Sequence, residues 1–121
     1  MRRDCDLNKI SDGKRYLLND MVKADCNGCK DCSVCCHDMG TSIVLDPLDF
    51  YRISHFLNRS FETMLDSQIE LNIVDGLILP NLKMTETLNK PCVFLNDSNR
   101  CSIHPYRPGI CRIFPLGRLY E

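Results

Sequence analysis

The sequence predicts a small single domain of the α+β class, with antiparallel strands and short helices gathered around a cysteine-rich centre. Three observations predict it. The chain has 121 residues, enough for one modest core that buries roughly two-thirds of the surface exposed by the unfolded chain. Helix-start signals at Asp46-Pro47 and Ser60 precede an Asp75-Gly76 pair set between two apolar segments, so helices and a hairpin follow one another. Nine cysteines are present, five of them between Cys26 and Cys36 and three more at Cys92, Cys101 and Cys111.

Residues 1–25 are polar and charged, with an apolar patch at Tyr16-Leu17-Leu18 and Met21-Val22, and read as a short strand or irregular lead-in to a domain spanning 26–121. The β-branched run Thr41 to Leu45 predicts a strand. Asp46 then offers an N-cap, Pro47 suits the first helical position, and Asp49 adds negative charge to the first turn. A helix from Pro47 to about Leu57 follows. It buries the face formed by Phe50, Ile53 and Leu57, and Asn58 ends it. Ser60 caps a second short helix, Phe61 to about Ser67.

A hairpin is predicted from Ile69–Val74 and Leu77–Leu79, because Asp75-Gly76 suits the positive dihedrals of a two-residue turn. Pro80 limits the second arm or places it at an edge. Cys92–Leu95 and Arg100–Ile103, around the polar loop 96–99, read as a second hairpin that brings Cys92 near Cys101. After Pro105 and Pro108, residues 109–114 form a turn of helix carrying Cys111 and ended by Pro115.

Thiolates are soft, anionic donors that favour zinc and iron–sulfur clusters, and three-residue spacing lets one short loop aim several sulfurs at one centre. Two readings of the first group share residues. Cys26-x2-Cys29-x2-Cys32-x3-Cys36 has the spacing of a bacterial ferredoxin run, and Cys29-x2-Cys32-x2-Cys35-Cys36 is a compact alternative. On an α-helix, successive cysteines three residues apart would drift by about 60° each, so a non-helical loop is expected. A loop also allows Cys35 and Cys36 to face different centres. Zinc sites pair one such knuckle with a second ligand pair, which Cys92 with Cys101 or Cys111 can supply.

Several partners and chemistries lack a signature. With 15 basic and 16 acidic residues the formal charge is -1, so nothing points to nucleic acid. No apolar run is long enough to span a bilayer, and no secretion signal opens the chain. The expected location is therefore the cytoplasm, where thiols stay reduced; an odd number of cysteines also argues against a disulfide framework. Radical S-adenosylmethionine spacing, glycine-rich phosphate loops, a His-Glu-x2-His zinc-protease motif and the deaminase signature are missing. Lys30, Arg100, Arg107 and Arg112 stand beside cysteines and can offset thiolate charge, although each taken singly reads as a solvated surface charge. His104 can ligate a metal, bond to a sulfur or simply shape a turn; His37 is similar, His55 reads as a surface residue, and Cys5 as a free thiol.

The ordered set Cys29-x2-Cys32-x2-Cys35-Cys36, Pro91-Cys92-Val93-Phe94-Leu95, Cys101-Ser102-Ile103-His104 and Arg107-Pro108-x2-Cys111-Arg112-x-Phe114-Pro115 resembles the YkgJ-type cysteine-cluster family of zinc- or iron-chelating domains. The resemblance runs from about residue 26 to the end. It implies that Cys29, Cys32, Cys35, Cys36, Cys92, Cys101 and Cys111 serve a metal centre, with Cys26 one step outside the common motif. It also implies a C-terminally truncated piece, because the family continues past the last motif. Similar domains occur in flagellin lysine N-methylases, so part of an S-adenosylmethionine-dependent lysine methylase is one functional expectation. The leading expectation is a module holding an iron–sulfur cluster, of the 4Fe-4S type, that works with an unidentified redox or protein partner. A structural zinc domain is the alternative.

Overall fold

The computed structural model describes residues 6–22 and 29–117. Its elements are α1 (Leu7–Ile10), α2 (Pro47–Leu57), α3 (Phe61–Ser67), β1 (Ile69–Val74), β2 (Leu77–Leu82) and α4 (Gly109–Ile113), with 3-10 turns at Val34–Cys36 and His104–Tyr106. The α+β class is as expected, although among the described residues the sheet has two strands and the rest of the chain is held by loops and turns.

Helix α2 starts and stops by the predicted chemistry. Asp46 Oδ1 accepts the Asp49 N–H at 2.7 Å, Asp49 Oδ2 accepts the Asp46 N–H at 3.4 Å, and Pro47 fills the first turn. Asn58, left-handed at φ 51°, ends the helix, and the N–H of Arg59 returns to Ser54 O. Ile53 is fully buried, while Phe50 packs edge-to-face on Phe61 of α3 at 5.1 Å and so ties the two helices together. Ser60 caps α3 through the Thr63 N–H at 3.3 Å.

The β1–β2 hairpin has Val74 opposite Leu77 across Asp75 (φ 50°) and Gly76 (φ 79°), the two positive dihedrals that its turn requires. Strand β2 runs through Pro80 to Leu82, longer than predicted. Pro80 is tolerated because its nitrogen faces away from β1, on the edge toward Leu45, whose N–H donates to Pro80 O at 2.9 Å. That proline also limits the pairing of Thr41–Leu45 at its Leu45 end. The segment is not a strand; it pairs only as a bridge between Val44 and Asn81, and Pro80 cannot return the second hydrogen bond to Leu45.

Three further expectations are corrected. The lead-in contains a short helix, α1, supported by Asp6, whose carboxylate accepts the Asn8 N–H at 3.1 Å and whose carbonyl accepts the Lys9 N–H. The second hairpin exists only as a bridge, Leu95 to Cys101, closed by Asn96 Oδ1, which accepts the N–H groups of Ser98 and Arg100. Its first arm cannot form a ladder because Cys92 N–H donates to Cys36 O at 2.7 Å and Val93 N–H to Lys83 O. Those two bonds anchor Cys92 directly to the cysteine loop. The third correction is smaller: α4 ends at Ile113, one residue short of the predicted helical turn.

The core joins Ile43, Leu45, Ile53, Met64, Ile69, Leu82, Met84, Phe94 and Ile103 to the buried Cys36 and Cys92, with Cys35, Cys101 and Cys111 packed against it. One side of this small core is therefore sulfur.

Candidate metal centre

Residues 29–36 leave helical geometry as the spacing required. Cys29 and Asp31 adopt positive φ (59° and 57°), turning the chain twice before the 3-10 turn at Val34–Cys36 closes on Ser33 O. One cavity, about 20 Å³ in volume, is lined by Cys29, Cys32, Cys35 and Cys36 and, from the other segment, by Arg100, Cys101, His104 and Arg107. The two stretches of cysteine read from the sequence thus converge. Cys92 and Cys111 lie outside that lining, packed behind it; Cys26, like Cys5, falls outside the described residues. All seven cysteines among the described residues carry free thiols.

Cys35 and Cys36 line one cavity together. Their sulfurs are 3.8 Å apart. The thiol of Cys36 is held strongly in its protonated form by sharing hydrogen bonds with Cys101 and Cys35 and by burial, while the hydrogen bond from Cys36 lowers both of those neighbours toward thiolate. Burial pushes Cys92 up to about 11 and Cys111 up to about 12, with the nearby charges of Cys35 and Cys101 acting in the same direction. The cluster has the electrostatics of thiols crowded together, with Cys36, Cys92 and Cys111 pushed toward the protonated form.

Cations are at hand. Arg107 Nη1 donates to Cys29 Sγ at 3.0 Å and to His104 Nε2 at 2.7 Å, and Arg112 Nε donates to the Arg107 carbonyl at 3.0 Å. His104 therefore reaches the sulfur through Arg107, and burial and the two neighbouring arginines lower its pKa. Arg100 lines the same cavity, so two of the four cations flagged in the sequence act on the centre, while Lys30 is exposed. Nothing in the local sequence distinguished Arg107 from a surface charge. Its place in the chain, three residues after His104 and four before Cys111, was the available signal.

His37 stands elsewhere. It lines an open groove with Ser33, Val34, Asp38, Asn89 and Lys90, and its Nε2 pairs with Ser33 Oγ at 3.2 Å while Nδ1 is buried without a hydrogen-bond partner. His55 is exposed and stacks on Tyr51.

The family model "CxxCxxCC: Putative zinc- or iron-chelating domain" matches residues 28–120. The chain belongs to the CxxCxxCC family. No curated protein and no solved structure matches it. The CxxCxxCC match takes in every cysteine that lines the cavity, together with Cys92 and Cys111. Among the described residues, no three Cys, His, Asp or Glu side chains already stand as the ligand shell of one ion. The donor set fits a thiolate-bound metal by its chemistry: five soft sulfurs on one cavity, a charge-assisted hydrogen bond to one of them, and a second arginine at the rim. Among the described residues, no helix is long and apolar enough to cross a membrane.

Proposed function

We propose that this CxxCxxCC domain is a metal-binding module whose thiolates hold an iron–sulfur cluster. The observation that carries the reading is the convergence of Cys29, Cys32, Cys35 and Cys36 with Cys101 on one cavity, across more than sixty residues of chain. The three-residue spacing on a loop that is not α-helical and the hydrogen bond from Arg107 to Cys29 Sγ support it, because bonds to sulfur and burial are the protein's means of setting a cluster's potential. When bound, such a cluster supplies one-electron transfer. The chain's own part is to present sulfurs, to exclude water with Ile103, Phe94 and Met84 behind them, and to neutralise charge with Arg107 and Arg100. A reducing compartment and a redox or protein partner belong to the same reading.

A zinc centre is the second reading, and one distance favours it. Two sulfurs bound to one zinc at about 2.3 Å in a tetrahedron lie about 3.8 Å apart. Cys35 and Cys36 have that separation, on a cavity whose volume of about 20 Å³ suits a single ion. In that case the metal replaces missing core.

Anaerobic purification followed by iron, zinc and acid-labile sulfide analysis separates the two. Brown protein with matching iron and sulfide is the expected result. Colourless protein with stoichiometric zinc establishes the second reading, and protein that binds neither metal refutes both.

A further inference from the structure

We propose that Asp49 is a positioning residue, holding Cys111 in place behind the cysteine-lined cavity by capping α4 from across the fold. Asp49 is buried at 5% exposure, and its Oδ1 accepts the N–H of Gly109 at 2.8 Å, sixty residues away in the chain. Gly109 is the first residue of α4. The residue before it, Pro108, has no side chain able to cap, and no side-chain cap bond is made from that position. Asp49 supplies the missing acceptor. The same carboxylate is fixed on its other side, where Oδ2 accepts the Asp46 N–H at the start of α2. Helix α2 is anchored in turn by the fully buried Ile53.

One buried carboxylate therefore fastens the start of a long, well-packed helix to the start of a five-residue one. A helix of that length is marginal by itself, and its other anchors include the buried Pro108, the half-buried Ile110, the Cys111 and Arg112 N–H groups on Pro108 O, and the Arg112 Nε bond to Arg107 O. Cys111 lies two residues beyond the capped N–H, packed against the core. That core includes the buried Cys36 and Cys92, so Cys111 packs on its sulfur side. A shift of α4 by a fraction of a turn would carry the Cys111 sulfur away from them.

The ligand role of Cys111 rests on the reading above; the link from Asp49 to the placement of Cys111 does not. The test is native-state alkylation of the full chain, with each cysteine followed by mass spectrometry in metal-free protein and in protein reconstituted with iron and sulfide or with zinc. Asp49→Ala is expected to raise the alkylation rate of metal-free Cys111 about tenfold relative to Cys92, because it leaves the Gly109 N–H without its acceptor and lets α4 open locally. Asp49→Asn keeps an oxygen for the Gly109 N–H, gives up only the longer 3.4 Å bond from the Asp46 N–H, and is expected to stay within about threefold of the native rate. Asp49→Glu keeps the charge but misplaces the oxygen, so it behaves like Ala; it also serves if Asp49→Ala does not fold. In reconstituted protein the sulfur-to-metal charge-transfer absorption per metal falls in Ala and Glu and recovers in Asn. Ser60→Ala, which removes the cap of α3, controls for general loosening.

Equal acceleration of Cys92 and Cys111, matching the Ser60→Ala pattern, overturns the proposal. So does an unchanged Cys111, or charge rather than oxygen position proving decisive. Should Cys111 respond as expected in a protein that takes up no metal, the link from Asp49 to Cys111 stands and the metal-centre reading falls.

Discussion

Replacing Arg107 with alanine should weaken metal retention by about one to two powers of ten, the expectation for about 1.5–3 kcal/mol of lost hydrogen bonding to a charged group. The contact removed is the 3.0 Å bond from Nη1 to Cys29 Sγ. Two unit charges at that separation attract by about 1.4 kcal/mol in bulk water and about 5.5 kcal/mol at an effective dielectric near 20. Both residues are half-buried at the mouth of the cavity, so screening keeps the value toward the lower end. Arg107→Ala also deprives His104 Nε2 of its partner but leaves the Arg112 bond intact, since that bond ends on the backbone carbonyl of residue 107. Arg107→Lys retains charge without the planar fork that serves sulfur and imidazole together, and should recover part of the loss. Arg100 is exposed at the rim, so Arg100→Ala should change affinity less than about threefold. The assay is competition against a chromophoric chelator, using the metal that purifies with the protein. Arg107→Ala binding within about threefold of native, or Arg100→Ala costing as much, would refute the idea that a directed bond to sulfur matters beyond general positive charge.

Other consequences are open to measurement. Because Cys92 is raised to about 11 and Cys111 to about 12, both are protonated in metal-free protein at neutral pH. Coordination by either must therefore release a proton, and affinity should fall about tenfold per pH unit for each such ligand as pH drops. Indicator titration in weakly buffered solution reads the release; metal uptake without protons would remove both from the ligand set. Ile53→Ala empties the centre of the core and should cost about 2–5 kcal/mol in urea unfolding. Gly76→Ala meets open space but keeps a φ of 79°, so it should cost about 1 kcal/mol and leave metal content unchanged. A loss of metal there would show that the hairpin and the centre are coupled. Asn81→Ala removes a buried amide that donates to Glu70 Oε1 and Leu82 O and accepts from Asn72. The expected cost is about 1–3 kcal/mol, with the Glu70 and Asn72 side chains freed on the hairpin.

Where the sequence could be read accurately, the determining interactions are local. Helices α2 and α3 follow from Asp46, Pro47 and Ser60 acting within three residues, and the first hairpin from the Asp75-Gly76 turn. The two misreadings of segments as paired strands have a common cause in long-range competition for backbone hydrogen bonds. Thr41–Leu45 has strand chemistry, but its partner edge contains Pro80; Cys92–Leu95 has strand chemistry too, but its N–H groups are engaged by Cys36 and Lys83. Propensity describes what a segment favours when partners are available, and in this fold the partners lie elsewhere in the chain.

The centre divides along the same line. Soft donors at three-residue spacing announce themselves, so the cysteines of the cavity were legible individually, and their meeting followed from a small core needing reinforcement. The supporting shell was not legible. Arg107 reaches a sulfur 78 residues away and Asp49 reaches an amide 60 residues away, and neither pairing leaves a trace in the spacing around the residue itself. Those two contacts tie the chain's late segment, residues 100–113, to its earlier half, one at the loop and one at α2. Ligands contributed by both segments can share a centre only while such ties persist. The stability of the fold and the geometry of the site are then one quantity measured in two ways, and a variant that loosens either tie should show both effects together.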